Sequence, residues 1–195
     1  TKKDIITEIA AVLSFSAVNN NDKVGVIFYS DEVEAYIPPK KGKQHALYIV
    51  RQLLTKESNH KGTAVSKALK FFNNTTRQQS IAFILSDFLD ANYEDALRVA
   101  GKKHDLIGIK LYDKMDRQLP NAGLLQVQDA ETRKTKWVDS GSDFVRYKYE
   151  QEFFRVTKYC ADTFKKAGCS LLHVKTDEDY VKLLQKFFIS RNRNH

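Results

Sequence analysis

Apolar residues run without a break from Ile81 to Leu85 and stop at Ser86-Asp87-Phe88-Leu89-Asp90. Five consecutive apolar residues, rich in β-branched and aromatic types, are too short for a membrane span and read as a strand covered on both faces. The carboxyl end of a central strand is where open α/β sheets place ligands, so Asp87 is the first functional candidate. The plainer reading is that Asp87 opens a turn or caps the helix that starts near Asn92.

Around this strand the pattern alternates. Ile5, Ile9, Val12 and Ser16 mark one face of a helix over about residues 3–18, which an Asn-Asn-Asn-Asp run ends. Strands follow over 24–29 and 33–37, turned by Ser30-Asp31 into a hairpin at a sheet edge, with Pro38 and Pro39 closing the second strand. A helix with Ala46, Val50 and Leu53 inward leads through a polar loop over 55–62 to Thr63, at the start of a helix facing inward through Val65, Ala68, Leu69 and Phe72. After Asp90 come a helix built on Tyr93, Ala96, Leu97 and Ala100, and a strand over 106–112 that ends at Asp113. A loop over 114–122 then precedes two short strands, 124–128 and 135–138, which read as a hairpin inserted at about 123–139. Tyr149, Phe153, Val156, Cys160, Phe164 and Ala167 define a long helix ending at Gly168, before a last strand over 170–174 and a last helix over 177–189. Such alternation predicts an α/β fold with a doubly wound, mostly parallel sheet and an antiparallel edge hairpin.

A length of 195 residues with 42% hydrophobic content suffices for one substantial core, so a single domain over 1–195 is expected. The net charge of +8 raises the question of nucleic acid. The basic residues are scattered, with acids nearby, and no nucleic-acid motif or aromatic interleaving accompanies the densest group, Lys40, Lys41 and Lys43. No nucleic-acid partner is therefore expected. The two cysteines, Cys160 and Cys169, form no CxxC and read as free buried thiols of a reducing compartment. No apolar run reaches the roughly 18 residues of a membrane span, and no secretory signal is present. The chain opens at Thr1 and enters a helix at once, as an excerpt of a longer protein would.

Several chemistries fail against this layout. No Gly-rich phosphate loop follows a strand. His45, His60, His104, His173 and His195 lack metal-ligand spacing and a nucleophile motif nearby. Asp87 and Asp90, three apart, match poorly the paired acids of aspartate-based phosphatases. No complete catalytic set emerges, and an enzyme is not expected.

Five stretches carry a specific resemblance: Asn21-Asp22-Lys23-Val24-Gly25, the run from Ile37-Pro38-Pro39 to His45, Leu85-Ser86-Asp87-Phe88, the run from Lys103 to Ile107, and Thr176-Asp177-Glu178-Asp179-Tyr180. Together they resemble the bacterial domain-of-unknown-function family 58. That resemblance implies a von Willebrand factor A-type, Rossmann-like domain. It also implies a cytoplasmic, non-enzymatic protein-binding module that works with a MoxR-type AAA+ ATPase. In A-type domains a metal-ion-dependent adhesion site combines an Asp-x-Ser-x-Ser loop after the first strand with a Thr and an Asp from two later loops. By position Thr63 matches the Thr and Asp87 the later Asp, and hard oxygen donors suit Mg²⁺ or Mn²⁺.

In that family the first strand and its loop lie just upstream of the helix that opens this chain, so the resemblance implies that both are missing here. Asp139-Ser140-Gly141-Ser142 follows a hairpin strand, at the wrong spacing, and reads as a chance match to the missing loop. Mg²⁺ or Mn²⁺ is thus expected in the complete protein and not in this fragment. Loss of the first strand would expose apolar edges on strands 24–29 and 81–85, to be satisfied by direct pairing or by a homodimer. A Mg²⁺-dependent phosphotransfer or hydrolytic enzyme centred on Asp87, and a basic nucleic-acid-binding domain, remain as alternatives.

Overall fold

Thr1 opens helix α1 (Lys2–Asn19) with a reciprocal capping box: its hydroxyl accepts the Asp4 N–H while the Asp4 carboxylate returns to the Thr1 backbone. Asn21, at φ 60°, turns the chain out of the helix in the left-handed region that Asn tolerates better than most residues. Strands β1 (Val24–Tyr29) and β2 (Val33–Lys40) pair antiparallel, and helices α2 (Lys43–Thr55) and α3 (Val65–Thr75) complete a first unit, Thr1–Gln78. Its core gathers Ile9, Ile37, Ala46, Ile49, Val65 and Leu69. The computed structural model describes residues 1–56, 62–128 and 135–192, so most of the loop expected over 55–62 lies outside the described residues.

The proline pair does not end β2 where expected. The strand continues through Pro38 and Pro39 to Lys40, which pairs with Val24 across a register shift. Prolines are tolerated because among the described strands β2 has a partner on one side only, so the missing N–H groups break no second ladder. Gly25 makes the passage possible: a Cβ there would lie 2.8 Å from the Ile37 carbonyl oxygen and 2.9 Å from the Pro39 nitrogen.

The second unit, Gln79–His195, is built on a parallel sheet of β3 (Ile81–Ser86), β4 (Asp105–Tyr112) and β7 (Ser170–Lys175), in the order β3-β4-β7. Strand β4 is flanked on both sides and buried from Leu106 to Leu111, as a near-continuous apolar run requires. Helix α4 (Glu94–Lys103) crosses from β3 to β4. The passage from β4 to β7 contains α5 (Lys114–Arg117), the antiparallel hairpin β5 (Leu124–Gln128) and β6 (Thr135–Asp139), and the long α6 (Asp143–Lys166). The mixed α/β class is as expected, with a parallel three-stranded sheet and two antiparallel hairpins.

Details differ from the expected pattern. Where a loop was expected, Asp113 and Asp116 cap each other across one helical turn and create α5. Helix α7 (Tyr180–Asn192) starts later than 177, because Thr176 donates to the Tyr112 carbonyl, Asp177 pairs with Lys175, and Asp179 accepts the Lys182 N–H. Among the described strands β1 is bonded to β2 alone and β3 to β4 alone. Each strand keeps one row of backbone donors and acceptors outside a ladder. No described helix is long and apolar enough to cross a membrane.

Candidate functional site

At the carboxyl end of β3 the chain makes a turn held by side-chain hydrogen bonds to its backbone. The buried Ser86 hydroxyl accepts the Phe88 N–H at 3.0 Å, and Asp87 Oδ1 accepts the Leu89 N–H at 3.4 Å. Phe88 sits at φ 50° and Asn92 at φ 63°, left-handed conformations that cost a non-glycine residue free energy unless surrounding contacts enforce them. Those contacts are present. The Phe88 ring is fully buried, edge-on to Phe164 at 5.3 Å between centroids and tilted on Tyr93 at 6.0 Å, while the Asn92 N–H donates to the Tyr159 hydroxyl at 3.0 Å.

Beneath the turn lies Lys110, 1% exposed in the centre of β4, whose ammonium donates to the backbone carbonyl of Asp87. Parallel register sets Lys110 opposite Ser86 on β3 and His173 on β7, so one polar row crosses an otherwise apolar sheet. A cation here costs desolvation that nearby groups feel. Burial, then Lys110, lowers the His173 pKa; burial raises that of the Cys160 thiol, against the neighbouring Tyr93 and Lys110, which lower it. Tyr93 is pushed far up, chiefly by burial with the neighbouring Cys160 adding to it, and Tyr159 up to about 12, chiefly by burial. Cys169 is raised to about 11 by burial and then by Asp105. Burial thus favours the protonated form of both thiols, and both cysteines are free.

Asp87 is half-buried, and its carboxylate has no partner beyond the Leu89 amide among the described residues. It does not cap α4, whose first turn follows Tyr93 without a side-chain cap. The turn reading of Asp87 thus has one long hydrogen bond behind it. Thr63 belongs to the first unit, half-buried just before α3. There the Ala64 N–H donates to the Ser30 carbonyl at 2.6 Å, and a Cβ at Gly62 would lie 3.6 Å from that of Asp31. The Ser30-Asp31 turn is therefore beside the Thr63 loop, a neighbourhood that the hairpin reading of the sequence did not anticipate.

As ligands, a Thr63 hydroxyl and an Asp87 carboxylate are chemically suited to Mg²⁺ but too few, since Mg²⁺ yields its waters reluctantly to fewer than one or two carboxylates with further donors. Among the described residues no group of three His, Cys, Asp or Glu is placed to hold a metal. The Asp139 to Ser142 run supplies no metal loop: Ser140 is fully buried, its hydroxyl donating to the Gly123 carbonyl at 2.7 Å and accepting the Ala122 N–H at 3.2 Å. This serine ties the root of the inserted hairpin. Arg146 then donates to the Ser140 carbonyl at 2.5 Å and pairs with Asp143.

Lys110 was missed in the sequence reading. Its signal was a single cation within Leu106-Ile107-Gly108-Ile109-Lys110-Leu111, where an unpaired charge cannot be buried.

A mixed α/β chain with a lysine-braced acidic turn after β3, an edge strand of the described parallel sheet rather than the central one expected, matches the family described as protein of unknown function DUF58 over residues 1–158. The chain belongs to that family. Uncharacterized proteins of Mycobacterium tuberculosis and Mycobacterium bovis are 25% identical to it over 98% of its length. The chain spans 61% of the length of these relatives. An uncharacterized protein of Mycobacterium avium is 25% identical over 80% of this chain and 94% of its own length. Among solved structures, the conserved hypothetical protein BatB from Bacteroides thetaiotaomicron superimposes with a TM-score of 0.53 over 97% of this chain and 89% of its own. An aerotolerance-related membrane protein from Bacteroides fragilis, carrying multiple mutations to serines, gives 0.55 over 92% and 86%. Both are 14% identical, a likeness of fold alone.

Proposed function

We infer that this chain is a non-enzymatic protein-binding module of the von Willebrand A type, acting in the cytoplasm with a MoxR-type AAA+ ATPase. The observation that carries the reading is the Ser86 to Asn92 turn: a buried ammonium, a buried ring and two left-handed residues fix a backbone that presents the Asp87 carboxylate. Such rigidity suits recognition, because a pre-organised contact loses little entropy on binding. The likeness to BatB supports the fold part of this reading.

In the proposed mechanism Asp87 and Thr63 supply two of the oxygens for Mg²⁺ or Mn²⁺, and a longer chain supplies the rest, with an acidic partner group completing the shell. Titration of Mn²⁺ into this chain, into a longer form and into the longer form carrying Asp87→Ala tests it. Tight binding by the longer form alone is the expected result, and equal affinity in all three would remove the metal. Capture of the MoxR-type ATPase should be lost with Asp87→Ala, and phosphate-ester substrates should show no turnover. Steady hydrolysis abolished by Asp87→Ala would replace the binding module with an enzyme.

A further inference from the structure

Helix α2 is apolar on two faces. Ala46 and Ile49 are buried and Val50 and Leu53 half-buried, which accounts for the side packed on α1 and β1. Gln44, Leu47, Tyr48, Arg51 and Leu54 recur at three- and four-residue spacing on a second face, where Leu47 and Tyr48 are each 49% exposed and Leu54 is 64% exposed. Gln44, Leu47, Tyr48 and Arg51 line a shallow depression of about 230 Å³. Folding of this unit does not use that face.

The charge around the face has one sign. From Pro39 to Lys56 the chain holds Lys40, Lys41, Lys43, Arg51 and Lys56 and no acid. Among the described residues Lys40, Lys41, Lys43 and Arg51 have no acidic partner. The first turn of α2 contains no acid, and Gly42 at its N-cap offers no side-chain bond, so nothing offsets the positive end of the helix dipole. The basic loop is also held in place: Lys40 is tied into the ladder opposite Val24, and His45 Nε2 donates to the Val24 carbonyl at 3.0 Å. Three lysines and a bare helix start thus sit at one end of an exposed apolar stripe.

We propose that this face of α2 docks an acidic amphipathic helix of another protein, its apolar residues against Leu47, Tyr48 and Leu54 and its carboxylates against Lys40, Lys41, Lys43 and Arg51. Charge complementarity selects the occupant. A nucleic-acid backbone would use the cations and leave the leucines idle, whereas an acidic amphipathic helix uses both. Neither Asp87 nor Thr63 is among the residues of this surface, and its occupation needs no metal.

The test uses the 195-residue chain and three synthetic 18-residue helical peptides labelled for fluorescence anisotropy. One has leucines at i, i+3, i+4 and i+7 with glutamates elsewhere, one has lysines in place of the glutamates, and one has glutamines in place of the leucines. The acidic amphipathic peptide should bind, in EDTA as well as in Mg²⁺, at least tenfold more tightly than either control. The double variant Leu47→Ser/Tyr48→Ser and the double variant Lys40→Glu/Lys41→Glu should each weaken it about tenfold. These residues are exposed, so circular dichroism should show both variants folded. Equal binding by the variants or by the lysine peptide would overturn the proposal. Stronger capture by vesicles of three parts phosphatidylcholine to one part phosphatidylglycerol, by a mixed-sequence 20-mer oligonucleotide, or by a second copy of the chain would overturn it in favour of that occupant. Loss of ATPase capture with Asp87→Ala leaves this result untouched, so the two proposals fail separately.

Discussion

Strand β4 and the pair β1–β2 answer different demands. Strand β4 has a neighbour on each edge and helices over its faces, and every side chain from Leu106 to Leu111 is buried. The β1–β2 pair has one ladder, mostly half-buried side chains and an exposed proline end. The second unit is thus where packing is most tightly determined and where a turn can be held under strain. The first unit leaves an apolar helix face for something else to meet, and β1 and β3 alike keep one edge outside the described ladders.

The sharpest way to break this contrast is to add one methyl group to each region. A Cβ at Gly108 would lie 2.5 Å from two atoms of the buried Phe164 ring, which has nowhere to go. Gly108→Ala should cost about 3 kcal/mol in chemical denaturation. Gly25→Ala meets backbone at 2.8 Å, but on a pair bonded along one side that can shift, and should cost about 1 kcal/mol. Equal costs would show the two regions to be packed alike.

Replacing the buried ammonium sharpens the contrast at the site itself. Lys110→Met leaves the Asp87 carbonyl without its donor, a loss of about 1–3 kcal/mol that relief from burying a charge largely offsets. Net stability should change by about 1 kcal/mol or less. Hydrogen exchange at Phe88 and Leu89 should nevertheless quicken at least tenfold while β1 amides stay unchanged. Unchanged exchange at the turn would mean that Phe88 packing alone holds it.

Acid should act on the second unit through its histidines. Burial, with Lys103 and Lys110 respectively, holds the pKa values of His104 and His173 below the ordinary 6.5. The unfolded chain therefore binds more protons than the folded one just below pH 6.5, so stability falls as the pH drops from 6.5 through the lowered values and is fully present above. Thermal melts of wild type and of a His104→Gln, His173→Gln double variant between pH 7.5 and 5 should converge at low pH. A wild-type curve parallel to that of the variant would contradict it. The smallest expected effect is that of Asp87→Ala on stability, under about 0.5 kcal/mol, because the carboxylate makes a single 3.4 Å hydrogen bond.

Much of this organisation was legible in the sequence because burial writes itself into periodicity. The helical spacing from Tyr149 to Phe164 and the strands 124–128 and 135–139 became the elements their patterns predict, and the apolar run at Ile81–Leu85 became a strand, though an edge strand with Ile81 exposed rather than a central one covered on both faces. The resemblance in the Pro-Pro and Ser-Asp-Phe stretches led to the family that the match over 1–158 establishes. Local chemistry misled where neighbours decide. Pro38 and Pro39 are strand breakers only if both edges are paired, and Asp113 and Asp116 start a helix only because each can reach the backbone of the other.

The sequence by itself determined the order of the elements, the class of fold and the acidic turn after β3. Tertiary structure alone decided what stands beneath that turn, because Lys110 reaches Asp87 by strand register across 23 residues of chain. It also decided which face of α2 stays in solvent, since a helix with apolar residues on two sides carries no local mark of the one its neighbours will cover.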